Sequence, residues 1–383
     1  MNPPTVPPSA RPRVARSLVS WWEIPPRSSL QRGDWVRFAH SIATLARQLL
    51  AAVNSLNASS PSWNGPWIVA PEEFGRRLGR MVSLSDPAHT ERIAESLLDE
   101  TLDLLVRSGV TQAALRFERL RNEPVPPMST ERARSLSQAV FERARSLTAR
   151  AVLIADSFAR GCADEGSDLD IRLLVDSVPS LAERSALITP FAEEGRVRQY
   201  GDEAYITADQ FLWCGRKIDV KYHPIARMER ALCEPFALGG PIDLLELVEV
   251  HLVVADPEGV AARLAALVGE RTARAREIAS VSLGALQERV LSRSSSATPV
   301  EAVATVLGPG LEYLVRVWTG INGRIHAFPK WVHRIVPELA VRPPNGWDRL
   351  LAITTEPWTE ETLDRRLAEW CALVTDLAAL NRR

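Results

Sequence analysis

Ile154–Val175 reads IADSFARGCADEGSDLDIRLLV. A Ser-x-Ala-Arg-Gly turn leads into a short polar loop, and Asp168-Leu169-Asp170 then enters an apolar run. Alternation along a strand puts residues i and i+2 on one face, so Asp168 and Asp170 are expected to point the same way. Two carboxylates crowded on one face repel each other. A divalent cation between them removes that repulsion, which makes the pair a candidate metal site. Upstream, Ala151–Ala155 is a compact apolar run and predicts a buried strand. Asp156–Gly161 predicts the turn that leaves it, and Ile171–Val175 predicts the next strand.

Helices and strands alternate outward from this stretch. Ser129 or Thr130 can cap a helix running to about Arg150. Leu181–Glu193 predicts another helix. Val197–Thr207 and Phe211–His223 are strand-like, the second bent at Cys214-Gly215. Pro241–Glu249 predicts a helix and Val250–Ala255 a short strand. The mixture over 129–260 predicts an α/β or α+β core. Beyond it the periodicity is purely helical, in Val260–Arg289, Pro299–Gly320 and a Thr359-capped helix reaching about Leu380. These define a C-terminal helical domain, 261–383. Ahead of the core, Asp34–Asn54, Pro71–Met81 and Pro87–Ser108 predict an N-terminal helical extension, 16–125. A Pro-rich tail, 1–15, is read as disordered, and Pro124–Pro127 as a linker.

A length of 383 residues suggests two or three domains. Lys and Arg total 46 against 47 Asp and Glu, a net charge of −1. That balance argues against broad capture of nucleic acid. No apolar run approaches the roughly 20 residues a membrane span needs, and the N-terminus has no apolar stretch of the secretory kind. Cys162, Cys214, Cys233 and Cys371 lack metal-ligand spacing and read as reduced thiols of a cytoplasmic protein. Lysine occurs only at Lys217, Lys221 and Lys330.

Two of those lysines flank a third acid. Lys217-Ile218-Asp219-Val220-Lys221-Tyr222 alternates charged and apolar residues, so Asp219 shares a strand face with Lys217 and Lys221. The Ser157 hydroxyl and nearby backbone N–H groups can hold phosphate oxygens, with Arg160 adding charge or fixing the loop. Lys330 is read either as a phosphate contact or as a stem packed on Trp331. Asp164 and Glu165 read as solvated, Asp202 and Glu203 as hairpin-tip charges, and His223, His326 and His333 as structural.

Together these residues resemble the polymerase-β nucleotidyltransferase superfamily. Its signature is an apolar residue, Gly, then Gly or Ser, a spacer, and Asp-apolar-Asp/Glu-apolar, matched by Ser157 and Asp168-Leu169-Asp170-Ile171 with Asp219 as the third acid. The likeness covers about 129–260. It extends loosely to Ile321-Asn322-Gly323-Arg324 and Phe328-Pro329-Lys330-Trp331, which resemble segments of small antibiotic-modifying members. It implies an α+β core with a mixed sheet and flanking helices. It implies transfer of a nucleoside monophosphate from a nucleoside triphosphate (NTP) to a hydroxyl on a small molecule, with two Mg²⁺ ions on Asp168, Asp170 and Asp219. Ser157, Arg160, Lys217, Lys221 and Lys330 are then expected to serve the nucleotide. The alternatives are transfer to a protein or RNA end, or a nucleotide sensor without catalysis. Asp156 departs from the pattern, standing where the family usually has Gly. It either braces the turn, alters nucleotide handling or abolishes activity.

Overall fold

The computed structural model describes residues 33–56, 72–84, 86–107, 126–193, 197–201, 207–238, 242–268, 271–291, 298–326 and 329–382. The tail 1–15, Asp202 and Glu203 lie outside the described residues. The chain divides into two compact units, one from Met1–Glu118 with Ala275–Arg383, the other Arg119–Arg274.

The helical unit begins with α1 (Trp35–Leu56), α2 (Glu72–Val82) and α3 (Pro87–Arg107). Apolar residues near helical spacing on α1, among them Phe38, Ile42, Leu45 and Leu49, are fully or almost fully buried. They share one core with Val303, Leu307 and Leu314, and with Leu350, Leu373 and Leu377. The N-terminal and C-terminal helices therefore form one unit, where the sequence reading drew two.

In the sheet unit, α4 (Thr130–Ala144) is capped by Ser129, whose side chain accepts from the Arg132 amide. It stops short of Arg150 because β1 (Ala149–Ile154) already begins there. The short helix α5 (Asp156–Ala159) and a loop lead to β2 (Leu169–Val175); α6 (Leu181–Ile188) follows. Next come β3 (Val197–Gly201), β4 (Thr207–Trp213) and β5 (Arg216–Pro224). Cys214 and Gly215, with φ of 50° and 72°, join β4 to β5 as a two-residue hairpin turn. Then come α7 (Ile225–Cys233), α8 (Ile242–Glu249), β6 (Leu252–Ala255) and α9 (Val260–Leu267). The sheet unit thus runs past residue 260 to Arg274. The remaining α-helices among the described residues are α10 (Arg271–Ala285), α11 (Pro299–Thr305), α12 (Leu311–Gly320), α13 (Val332–Ile335), α14 (Gly346–Thr355) and α15 (Leu363–Asn381). Among the described residues, no helix is long and apolar enough to cross a membrane.

The fold is α+β, with a six-stranded mixed sheet ordered β3-β4-β5-β2-β1-β6. β2 and β5 pair in parallel; the other neighbours are antiparallel. Period-two alternation sorts β2 and β5. Leu169, Ile171, Leu173 and Val175 join Ile218, Val220 and Tyr222 in the apolar core, under Leu136, Val140 and Phe141 of α4. The intervening residues Asp170, Arg172, Lys217, Asp219, Lys221 and His223 therefore occupy the opposite face.

Candidate active site

Asp170 and Asp219 stand directly opposite each other in the β2–β5 register, and Arg172 stands opposite Lys221. Asp168 precedes β2 by one residue. The three carboxylates meet three cations. Lys217 Nζ lies 3.4 Å from Asp168 Oδ2 and 3.3 Å from Asp219 Oδ2. Lys221 Nζ and Arg172 Nη2 lie 3.4 and 3.2 Å from Asp170 Oδ1. Asp170 and Asp219 are each only 5% exposed, and Asp219 Oδ1 is buried with no hydrogen-bond partner among the described residues.

This arrangement sets the proton affinity of Asp219. Burial raises its carboxyl to about 6, with Asp168 and Asp170 pushing the same way and Lys217 and Lys221 opposing. His223, two residues beyond Lys221, is held neutral. Burial pulls it well below the usual histidine range, and Arg172, Lys221 and Arg227 reinforce that. Its Nε2 also takes no hydrogen bond among the described residues.

The turn ahead of β2 explains Asp156. Its φ is +57°, in the left-handed region that glycine enters freely and that Asp tolerates better than most residues. Ser157, next along, is buried. Arg160 is ion-paired with Glu246 of α8, so it fixes the turn. The loop after it is tied by Ser167, whose hydroxyl donates to Asp164 Oδ1 at 2.8 Å; Asp164, half-buried, thus braces the loop.

Arg216, at the start of β5, holds that loop from below and had no sequence signal. It is 2% exposed and donates to the carbonyls of Ser167, Glu165 and Pro126 at 2.5, 3.2 and 2.7 Å. Burial lowers its pKa from the ordinary arginine value. Arg172 was also missed, although period two from Asp170 points to it.

No family model matches this chain, and no curated protein does so at a significant level.

Of the eight sequence-predicted residues, seven lie in the sheet unit. Asp168 and Asp219 share Lys217, and Asp170 pairs with Lys221 and Arg172 beside them in the β2–β5 register, while Ser157 and Arg160 belong to the neighbouring turn. Lys330 belongs to the helical unit, where its ammonium lies 5.9 Å from the Trp331 ring centroid. Among the described residues, no group of three or more His, Cys, Asp or Glu side chains is gathered closely enough to hold a metal ion as it stands. The donor chemistry nevertheless suits a hard cation such as Mg²⁺, which takes carboxylate oxygens and keeps phosphate and water for the rest of its shell. The unpartnered Asp219 oxygen leaves one such ligand open.

Proposed function

We propose that this chain is a Mg²⁺-dependent nucleotidyltransferase that moves a nucleoside monophosphate from an NTP to a hydroxyl of a small molecule, releasing pyrophosphate. The observation that supports it best is the row of carboxylates on one face of two parallel strands, Asp170 opposite Asp219 with Asp168 beside them. Structural cores rarely bury two acids side by side, because each loses its hydration; Asp170 and Asp219 are both buried, while Asp168 beside them stays half-buried.

Asp168, Asp170 and Asp219 are the residues that would hold Mg²⁺. When bound, Mg²⁺ neutralises charge on the triphosphate and on the departing pyrophosphate. The protein's part is positioning and proton transfer. Asp219 is the residue that would take the proton from the acceptor hydroxyl. Ser157 and the amides of its turn hold phosphate oxygens, and the Arg160–Glu246 pair keeps that turn in place. Lys217 and Lys221 steer the phosphates. Charge is balanced throughout: three acids face three cations before substrate binds, and two Mg²⁺ offset an NTP of charge −4.

The test is incubation with each α-labelled NTP, Mg²⁺ and a metabolite extract. Label should pass to an acceptor, and Asp168→Asn and Asp219→Asn should abolish the transfer. Tight NTP binding without transfer to small molecules, proteins or RNA ends would replace this reading with a sensor.

A further inference from the structure

Lys217 stands between two of the carboxylates that the proposed reaction uses. One ammonium spans Asp168 Oδ2 and Asp219 Oδ2, at 3.4 and 3.3 Å. Lys221 and Arg172, by contrast, both sit on Asp170. The second Asp219 oxygen is buried and unpartnered on the same face. A lysine ammonium is a compact point charge on a flexible stem, and this one keeps 16% of its side chain exposed, so it has a route out. An ammonium and a divalent cation repel each other strongly at such separations, so both cannot sit on the same oxygens.

Resting on the nucleotidyltransferase reading, we propose that Lys217 is a resident counter-ion: it holds the place of a divalent cation between Asp168 and Asp219 and leaves that place when the cation enters. Its release frees one positive charge beside the metal, where the triphosphate arrives. The cation alone therefore binds weakly, because it must displace Lys217. The displaced ammonium then finds a new partner in the nucleotide phosphates, so the two ligands assist each other.

The chain's three lysines make the exchange directly visible. With ¹³C at lysine Cε, the full-length protein gives three side-chain signals, assigned by K217R and K221R. Mg²⁺ alone is titrated at pH 8, with calorimetry in parallel on wild type, K217M, K221M and D219N. The Lys217 signal should move as Mg²⁺ saturates while the Lys330 signal stays fixed. K217M should bind Mg²⁺ roughly tenfold more tightly than wild type, K221M should gain clearly less, and D219N should bind more weakly. Saturation with an unmoved Lys217 signal, or equal gains in K217M and K221M, would overturn the counter-ion role and leave the enzyme reading standing. No Mg²⁺ binding by either wild type or K217M would overturn both. The spectral arm needs only wild type and the charge-conserving variants, so a poorly folded K217M does not remove the test.

Discussion

Asp219→Asn should stabilise the protein at pH 8 while destroying the proposed activity. The folded state raises this carboxyl from an ordinary 3.8 to about 6, mainly through burial. Between those values the folded chain holds a proton that the unfolded chain releases. Stability therefore falls as pH rises through that window, and the penalty is complete above it. At about 1.4 kcal/mol per tenfold change in proton affinity, the full penalty is about 3 kcal/mol. The amide escapes it, and the Lys217 attraction that it forgoes is already contained in that shift. The expected net gain at pH 8 is thus about 3 kcal/mol. At pH 5 the wild-type carboxyl is largely protonated when folded, and about 1.4 kcal/mol of the difference should disappear. Melting both proteins side by side from pH 5 to 8 reports mainly on this cluster, because titrations remote from it cancel. The gap in Tm should change by about 3–6 °C over that range. A constant gap would show that the buried carboxyl is not raised.

Asp156→Gly should match or slightly exceed wild-type Tm, because φ is +57° there, whereas Asp156→Val should cost about 1–2 kcal/mol. Arg216→Met should cost about 3 kcal/mol by stripping three carbonyls of their donor, with a fall in kcat as Asp168 loses its fixed loop. Arg216→Lys should recover less than half of that stability, since one ammonium cannot reproduce the guanidinium fork; melts and transfer rates report both. Tyr222→Phe removes the 2.6 Å hydroxyl bond to Asp209 and should lower stability by about 1–2 kcal/mol. Its kcat should be unchanged, because Tyr222 faces the apolar core.

Local patterns carried much of the fold. The alternation in Leu169–Val175 and Lys217–Tyr222 assigns both strands and their charged face, because side-chain direction depends only on neighbouring residues. The left-handed turn was half legible: Asp156 marked an unusual position without revealing its φ. Arg172 could have been read from the same alternation as Asp170. Arg216 could not, because its partners are carbonyls as distant as Pro126. The shared core of N-terminal and C-terminal helices was equally hidden, since an apolar stripe shows that a helix packs but not against what. Pro299–Gly320 reads as one helix, yet Gly308, with φ −79° and ψ −110°, breaks it before Pro309. Proline's missing N–H is a local reason for that break.

Two buried aspartates in adjacent strands separate structure from function. Asp209 on β4 and Asp219 on β5 are both buried, and burial raises both carboxyls. Burial alone does not distinguish them; their partners do. Asp209 lies with the apolar core and accepts from Arg184 at 2.6 Å, Tyr222 at 2.6 Å and Gln199 at 3.2 Å. Asp219 lies on the charged face with one oxygen on Lys217 and the other on nothing among the described residues. Buried polar groups that serve the fold are normally satisfied, so an unsatisfied acid costs stability without structural return. The same Asp→Asn substitution should therefore act oppositely at the two sites. Asp209→Asn should lose about 3 kcal/mol by leaving the Arg184 charge uncompensated in the core, and Asp219→Asn should gain at pH 8. If both substitutions destabilise equally, Asp219 is a structural residue and the carboxylate row is not a site.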